Sequence, residues 1–421
     1  MTWERSTLGE IASWSSGGTP SAGTASFYGG DIPWLLIGDL NDGAVTTPSK
    51  TITGEGLANS SAKWVPQDAV LVAMYGSIGK LGLTQFPVTT NQAIAAAVSK
   101  GRIVPKFLFY YLLSQRSSLA AAGKGATQKN IGQGTLKAWP IYFPSALDEQ
   151  RRIVELVEEH LSHLDAADAA LATSKERANK LWGVTASQLL SRADHTLTPL
   201  RELLREPMRN GRSDRASANG EGIRCLTLTA VTRREFSDRW TKIAATADRT
   251  AAGLWLEPGD IFVQRSNTPE LVGTSALYEG ERHWAIFPDL LIRVRPDENR
   301  IDRHFLAAAL RSEACHRQLR KSAKGLAGSM PKIDQSALGR LPIPVPAMEQ
   351  QKAIASQLME LEIDVRRMAH AVEAQSARCA TLRRAVLAAA FSGRLTGSAS
   401  DAEVIEETAA ALPSPVQETL L

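Results

Sequence analysis

The 421-residue sequence predicts an α+β fold: two mixed α/β blocks separated by two long antiparallel helices that form a coiled coil, the whole being a pseudo-two-fold internal repeat. Three observations carry this. First, "NIGQGTLKAWPIYFP" (130–144) returns as "KIDQSALGRLPIPVP" (332–346), matching at Ile131/Ile333, Gln133/Gln335, Leu136/Leu338, Pro140/Pro342 and Pro144/Pro346. Each copy is followed by Glu-Gln and a run of helix formers. Second, Ile354, Leu358, Leu361, Val365, Met368, Val372, Gln375, Cys379, Leu382, Val386 and Ala389 keep a 4-3-4-3 spacing, the signature of a coiled-coil seam. Third, only a few residues around "RADHTLTP" separate the first helix from the second block, so the second helix has to run back. A dumbbell follows, with the chain finishing near where it started.

Taken in order, residues 1–147 form the first block, with short strands punctuated by Gly, Pro, Asn and Asp turns. Within it "VLVAMYGSIGKLGLT" reads as an apolar strand, a Gly-Ser turn carrying Lys80, and a second short strand. Residues 148–194 form the first long helix, its stripe running through Val157, Leu161, Leu164, Leu171, Ala178 and Leu189, with Asp168 and Lys175 interrupting the register. Residues 195–348 form the second block, where "DIFVQRSNTPELVGTSALY" matches the hairpin of the first but carries Arg265, Ser266 and Asn267 at the turn. The framework repeats while the tip changes, which suits two different ligands or two stretches of one polymer. Residues 349–395 form the second long helix, and the acidic segment 396–421 reads as disordered. At each junction, prolines such as Pro342, Pro344 and Pro346 donate no backbone hydrogen bond and favour extended geometry, as in an edge strand or polyproline spacer.

Composition bounds the function. A chain with 43% apolar residues can bury two or three cores. No apolar run approaches the roughly 18 to 20 residues of a membrane span, and the start lacks the apolar segment of a signal peptide, which predicts a cytoplasmic protein. Cys225, Cys315 and Cys379 are odd in number and far apart, arguing against a disulfide framework or a cysteine-rich zinc site. The positive charge sits in the blocks: 11 basic against 7 acidic residues in 1–147, and 24 against 18 in 197–348. Such surfaces attract polyanions.

The two-copy plan, the opening "TLGEIASWSSGGTPS" with "YGGDIPWLLIGDL", the "AMYGSIGKLGL" hairpin, "TTNQAIAAAV", the loop "GATQKNI" and the ending "LRRAVLAAAFSGRL" together resemble the specificity subunits of type I restriction-modification enzymes over residues 1 to about 395. The resemblance implies a non-catalytic chain whose blocks are target recognition domains and whose helices act as a ruler between them. It further implies double-stranded DNA, two modification (methyltransferase) subunits and restriction (translocase/endonuclease) subunits as partners. No cofactor is expected in this chain; S-adenosylmethionine, and ATP and Mg2+ for restriction, belong to the complex. The first copy ends "LWGVTASQLLSRAD" where the second has "LRRAVLAAAFSGRL", a departure that makes equal contacts to the two modification subunits unexpected.

Two unlike readers in one chain can address an asymmetric bipartite site, with helix length setting the spacing. Base edges call for Arg, Lys, Asn, Gln, Ser and Thr, and phosphates for further basic residues. Candidates in the first block are Ser21, Tyr75, Ser77, Lys80, Asn91 and Gln92, with Lys124, Gln128 and Lys129 in the later loop. In the second they are Arg209, Arg212, Arg215, Arg233, Arg234, Arg265, Ser266 and Asn267, with Lys321, Lys324 and Lys332. For the helix-helix and partner interface they are Leu161, Leu164, Leu171, Leu358, Leu361, Val365, Met368, Val372, Leu382 and Val386.

Rival readings make demands that the sequence does not meet. A stand-alone adenine methyltransferase needs an Asn-Pro-Pro-aromatic motif and a glycine-rich strand-to-helix turn, and "GSIGKLG" has the wrong spacing for either phosphate-binding pattern. A metal-dependent nuclease needs clustered carboxylates with a nearby lysine, whereas Asp289 in "FPDLLIRVRP" stands without an acidic-x-Lys element. His160 and His163 lie three apart on a helix but lack an evident third ligand. A protein-only coiled-coil scaffold leaves two elaborate basic blocks without a purpose.

Overall fold

In the computed structural model, residues 2–125, 129–192, 196–218, 220–245, 251–324 and 330–412 are described. The long helices are Leu147–Arg192, of 46 residues, and Met348–Phe391, of 44. The chain divides into two compact units, Met1–Leu171 with Glu373–Leu421, and Ala172–Val372. Each long helix is therefore shared: it leaves the block of its own copy and ends in the core of the other.

The first unit is built on a five-stranded sheet in the order Ala12–Ser16, Ile94–Ser99, Val70–Ala73, Leu81–Thr84, Gly43–Val45. Strands Val70–Ala73 and Leu81–Thr84 are buried along their whole length, so they read as apolar runs and not as alternating patterns. The period of two still operates, because successive side chains point to opposite faces. Val70, Val72, Ala95 and Ala97 join a core with the long helices, while Leu71, Ala73, Ile94 and Ala96 join a second core with Leu35, Leu40 and Val88. A four-stranded sheet, Lys50–Ile52, Tyr28–Leu35, Val88–Thr90, Trp64–Val65, completes the unit.

The second unit repeats the central part of this plan. Its sheet runs Arg209–Asn210, Leu291–Val294, Ile261–Gln264, Ser275–Leu277. Ile261, Val263, Ile292 and Val294 face a core containing Trp182, Ala186 and Leu358 of the long helices, and Phe262, Ala276 and Leu291 face the opposite core. The copies diverge beyond that second face, where a two-stranded ribbon, Ile223–Leu226 with Thr241–Ala244, stands in place of a sheet.

The proline-rich junctions are strands of two-stranded ribbons. Pro140–Pro144 pairs with Trp3–Thr7, and Pro342–Val345 pairs with Thr196–Pro199, so each block is closed by its own first and last strands. Both partners in such a ribbon are edges, which is where proline is tolerated. The glutamine of each Glu-Gln pair fastens the following helix to its block. Gln150 Nε2 donates to Pro144 O at 2.8 Å and Arg102 O at 3.1 Å, and Val104 N donates to Gln150 Oε1 at 2.8 Å. Gln351 does the same: Nε2 to Pro346 O at 2.9 Å and Arg300 O at 3.4 Å, and Asp302 N to Oε1 at 2.8 Å. Both side chains are buried, at 0% and 1% exposure.

The long helices bury much of the expected seam. Leu358, Val372, Cys379 and Val386 are buried, and Leu161, Leu164, Leu171, Leu361, Val365 and Leu382 are half-buried. Asp168, which breaks the heptad register, accepts from Arg383 at 2.8 Å, and Arg383 also reaches Asp165 at 2.6 Å. Met368 departs from expectation. It is 43% exposed and flanked by exposed Arg366, Arg367, His370 and Ala371, because heptad spacing specifies a stripe without specifying what covers it.

The acidic tail is a correction. Residues Asp401–Ala411 are helical, with Ile405 buried in the first unit's core and Val404, Ala409 and Leu412 packed against it. Asp401 accepts from Thr396 N at 3.0 Å, Gly397 N at 2.7 Å and Thr396 Oγ1 at 2.9 Å, while Arg378–Glu406 at 2.7 Å and Arg394–Glu407 at 2.5 Å tie the acidic face to the long helix and its end. Acidity and a scarcity of large side chains favour disorder, yet four apolar residues and basic neighbours suffice to dock this short helix. The rest of the expected disordered segment, 413–421, lies outside the described residues.

Candidate nucleic-acid interface

In the first unit the hairpin turn and the later loop, separated by some 50 residues, meet. Tyr75 bridges Asn130, Ile131 N donates to Met74 O at 2.9 Å, and Lys124 and Asn130 exchange backbone hydrogen bonds of 2.8 Å in both directions. The turn is tight, with Lys80 N donating to Ser77 O at 3.0 Å and Ala73 N to Lys80 O at 2.9 Å. Gly76 and Gly79 supply the left-handed residues, φ 61° and 78°. Tyr75, Ser77, Lys124 and Lys129 are exposed and Lys80 is half-exposed. Gln128 lies outside the described residues.

The turn at 91–93 joins this tip, since Met74 N donates to Ala93 O at 2.8 Å. Gln92 is exposed and accepts from Thr19 Oγ1, which brings the "SGGTPS" loop with exposed Ser21 alongside. That loop needs its glycines: a Cβ on Gly17 would lie 1.9 Å from Thr90 O. Asn91 is absorbed locally, its Oδ1 accepting from Ala93 N at 3.2 Å and its N–H donating to Leu35 O at 3.0 Å, the behaviour of an Asx turn.

The second unit makes the same frame from different residues. Ser266 bridges Lys332, Ile333 N donates to Arg265 O at 2.9 Å, and Lys324 and Lys332 exchange bonds of 2.9 Å in both directions. Lys321, Lys324 and Lys332 are exposed and Arg265 is half-exposed. Ser266 is 3% exposed, which removes it from the candidates: its backbone bridge to Lys332 leaves the side chain inside. Asn267 is half-buried, donating through Nδ2 to Gln264 Oε1 at 2.7 Å while its Oδ1 accepts from Thr268 N at 2.8 Å.

The remaining arginines are spread more widely. Arg209 and Arg215 lie at the surface, and Arg212 is paired with Asp214 at 2.9 Å. Arg233 lies 4.9 Å over the Trp240 ring, whose other neighbour, Arg239 at 4.8 Å, was not a candidate from sequence. Arg234 caps helix Leu228–Arg233 in the left-handed conformation and lines a cavity with Arg311 and Glu362, so it is not part of the tip cluster. Sequence reasoning also missed Arg116 and Asp42. Arg116 Nε donates to Gly79 O at 3.0 Å and its Nη2 to Asp42 Oδ1, which in turn accepts from Leu81 N at 2.9 Å. This clip holds the hairpin from behind, and nothing local in "LNDG" or "SQRSS" announces it.

Asp289 accepts from Ser213 Oγ, and His160 and His163 lie beside the tail helix with Leu164, Leu382 and Ile405. Among the described residues, no three His, Cys, Asp or Glu side chains gather in a metal-binding arrangement. No helix among them is long and apolar enough to cross a membrane.

The architecture is thus two blocks on a repeated frame, each with a hairpin and loop tip of its own chemistry, and two long helices divided between the two units. Residues 1–173 match the family described as "Type I restriction modification DNA specificity domain". The chain is 32% identical over 163 residues to the type I restriction enzyme EcoR124I/EcoR124II specificity subunit of Escherichia coli, covering 37% of this chain and 40% of that one. It is 24% identical over 388 residues to the StySPI specificity subunit of Salmonella potsdam, covering 87% and 82%. The chain thus spans about two fifths of the Escherichia coli relative and most of the Salmonella one. Among solved structures, the HsdS subunit from Thermoanaerobacter tengcongensis superposes with a TM-score of 0.52 at 18% identity, over 93% of this chain and 97% of that one. A chain from a study of type I R-M complex assembly and conformational transition reaches 0.73 at 17% identity, over 93% and 98%. Residues 1–173 thus carry the specificity-domain family, and over most of its length the chain is similar to type I restriction enzyme specificity subunits.

Proposed function

We propose that this protein is the non-catalytic DNA-recognition subunit of a type I restriction-modification complex, reading an asymmetric, two-part duplex target. The observation that carries this is the repeated frame with unlike tips. The pairs Met74–Ile131 and Arg265–Ile333 hold the same hairpin-to-loop junction, each at 2.9 Å. One presents Tyr75, Ser77, Lys80, Gln92, Lys124 and Lys129, and the other Arg265, Lys321, Lys324 and Lys332. Equal frames with unequal side chains suit two half-sites of different sequence, the surface lysines holding phosphates and Gln92, Ser77 and Arg265 reaching base edges. Two modification subunits and the restriction subunits would supply the chemistry, with S-adenosylmethionine, ATP and Mg2+ bound by those partners.

Co-expression with the cognate modification subunits, followed by mapping of methylated adenines across the genome, tests the reading. A two-part motif with a fixed unspecified gap is expected. An unsplit short motif would leave one block without a DNA role, and absence of methylation from a well-formed complex would overturn the reading.

A further inference from the structure

The second unit contains a cavity of about 450 Å³ that the repeat itself explains. Val104 N and Asp302 N make the same 2.8 Å hydrogen bond to Gln150 and Gln351, so helix Pro105–Ser114 corresponds to Arg303–Arg311 and its flank. Phe107, Leu108 and Leu112 then match Phe305, Leu306 and Leu310, but Phe109 and Tyr110 match Ala307 and Ala308. In the first unit the Phe109 and Tyr110 rings pack edge to face at 5.2 Å, and Tyr110 OH donates to Glu158 Oε1 at 3.2 Å. In the second, Ala307 and Ala308 line the cavity. Where the first unit has rings, the second has open space.

The wall has also changed sign. Counting from Gln150 and Gln351, Glu158 corresponds to Met359, which lines the cavity, and counting from Val104 and Asp302, Leu113 corresponds to Arg311. Arg311 lies 3.8 Å over the Trp182 ring and donates to Glu362 at 2.6 Å; Arg366 donates to the same carboxylate at 2.9 Å. Arg234 completes the wall without a carboxylate in ion-pair range among the described residues. Glu279, the other acidic residue of the lining, lies 3.4 Å from His304. Two further donors of the lining, Arg311 Nε and Trp182 Nε1, are buried without an acceptor among the described residues.

We propose that this cavity binds a small aromatic carboxylate, the ring occupying the volume that Tyr110 fills in the other repeat and the carboxylate meeting the Arg234, Arg311 and Arg366 cluster. Benzoate is the probe, titrated into the full-length chain by isothermal calorimetry, with p-cresol and inorganic phosphate as the ring-only and anion-only arms. Saturable benzoate binding is expected, at least tenfold tighter than either. Ala308→Tyr, which restores the first repeat's own filling, should weaken benzoate at least tenfold, and Arg234→Ala, at an exposed position that leaves the core intact, at least fivefold. Absence of saturable benzoate binding up to about 10 mM would overturn the proposal. So would Ala308→Tyr or Arg234→Ala binding as the parent does, or phosphate or p-cresol matching benzoate.

Discussion

Replacing Gln351 by leucine keeps the side-chain volume and removes all three of its hydrogen bonds. Asp302 N–H loses its acceptor, and the carbonyls of Pro346 and Arg300 lose their donor, at a site 1% exposed. A buried N–H left unsatisfied costs about 1–3 kcal/mol, and an under-satisfied carbonyl somewhat less. Leucine's apolar gain offsets roughly 1 kcal/mol, so the net loss is about 2 kcal/mol, local to the junction between helix Arg303–Arg311 and the second long helix. Amide hydrogen exchange reads this directly. Where the junction opens locally, the Asp302 amide should exchange about 30-fold faster, the equivalent of 2 kcal/mol. Gln150→Leu should do the same at Val104, because the geometry repeats. Since the two glutamines belong to separate units, the effects should add to within about 0.5 kcal/mol. An Asp302 amide that exchanges at the parent rate in Gln351→Leu would refute the argument that these glutamines fasten the helices.

Two more outcomes are expected. Burial alone would raise the carboxyl pKa of Asp401, but the amides of Thr396 and Gly397 more than offset this and hold it below its ordinary value. Its contribution is therefore present above the unfolded carboxylate pKa of about 3.9 and lost as pH falls through the lower folded value. Proteolysis or exchange across Asp401–Ala411 should show the tail helix releasing in strong acid and at all pH values in Asp401→Asn; a helix equally protected in that variant at pH 7 would refute the capping role. For DNA, Lys124→Ala and Lys129→Ala should each lower the slope of log binding constant against log salt by about 0.9 if each holds one phosphate. Unchanged slopes would remove these lysines from the interface.

How much of this was legible beforehand follows the range of the interactions. The hairpins Val70–Ala73/Leu81–Thr84 and Ile261–Gln264/Ser275–Leu277 were visible because an apolar run, a turn and a second run are contiguous. The two loops of each tip were named separately from their composition, and Lys124 and Lys332 proved to belong beside Tyr75 and Ser266 only through backbone pairing across about 50 to 65 residues. Ser266 could not be told from an exposed turn serine, since its burial depends on Lys332. Asp168 read as a flaw in the heptads until Arg383, 215 residues away, supplied its partner.

By itself the sequence determined that there are two copies, two long helices and two unlike tips, because period, proline placement and repeated motifs are properties of neighbouring residues. Tertiary structure alone decided that each long helix is divided between two units, and that Gln150 and Gln351 fasten it to its block. It also decided that the tail docks through Ile405 and that Ala307 and Ala308 border a cavity lined by Arg234, Arg311 and Arg366 beside Glu362. Those outcomes rest on burial and on hydrogen bonds between residues far apart in the chain, where the free energy of a side chain is set by what the fold places beside it.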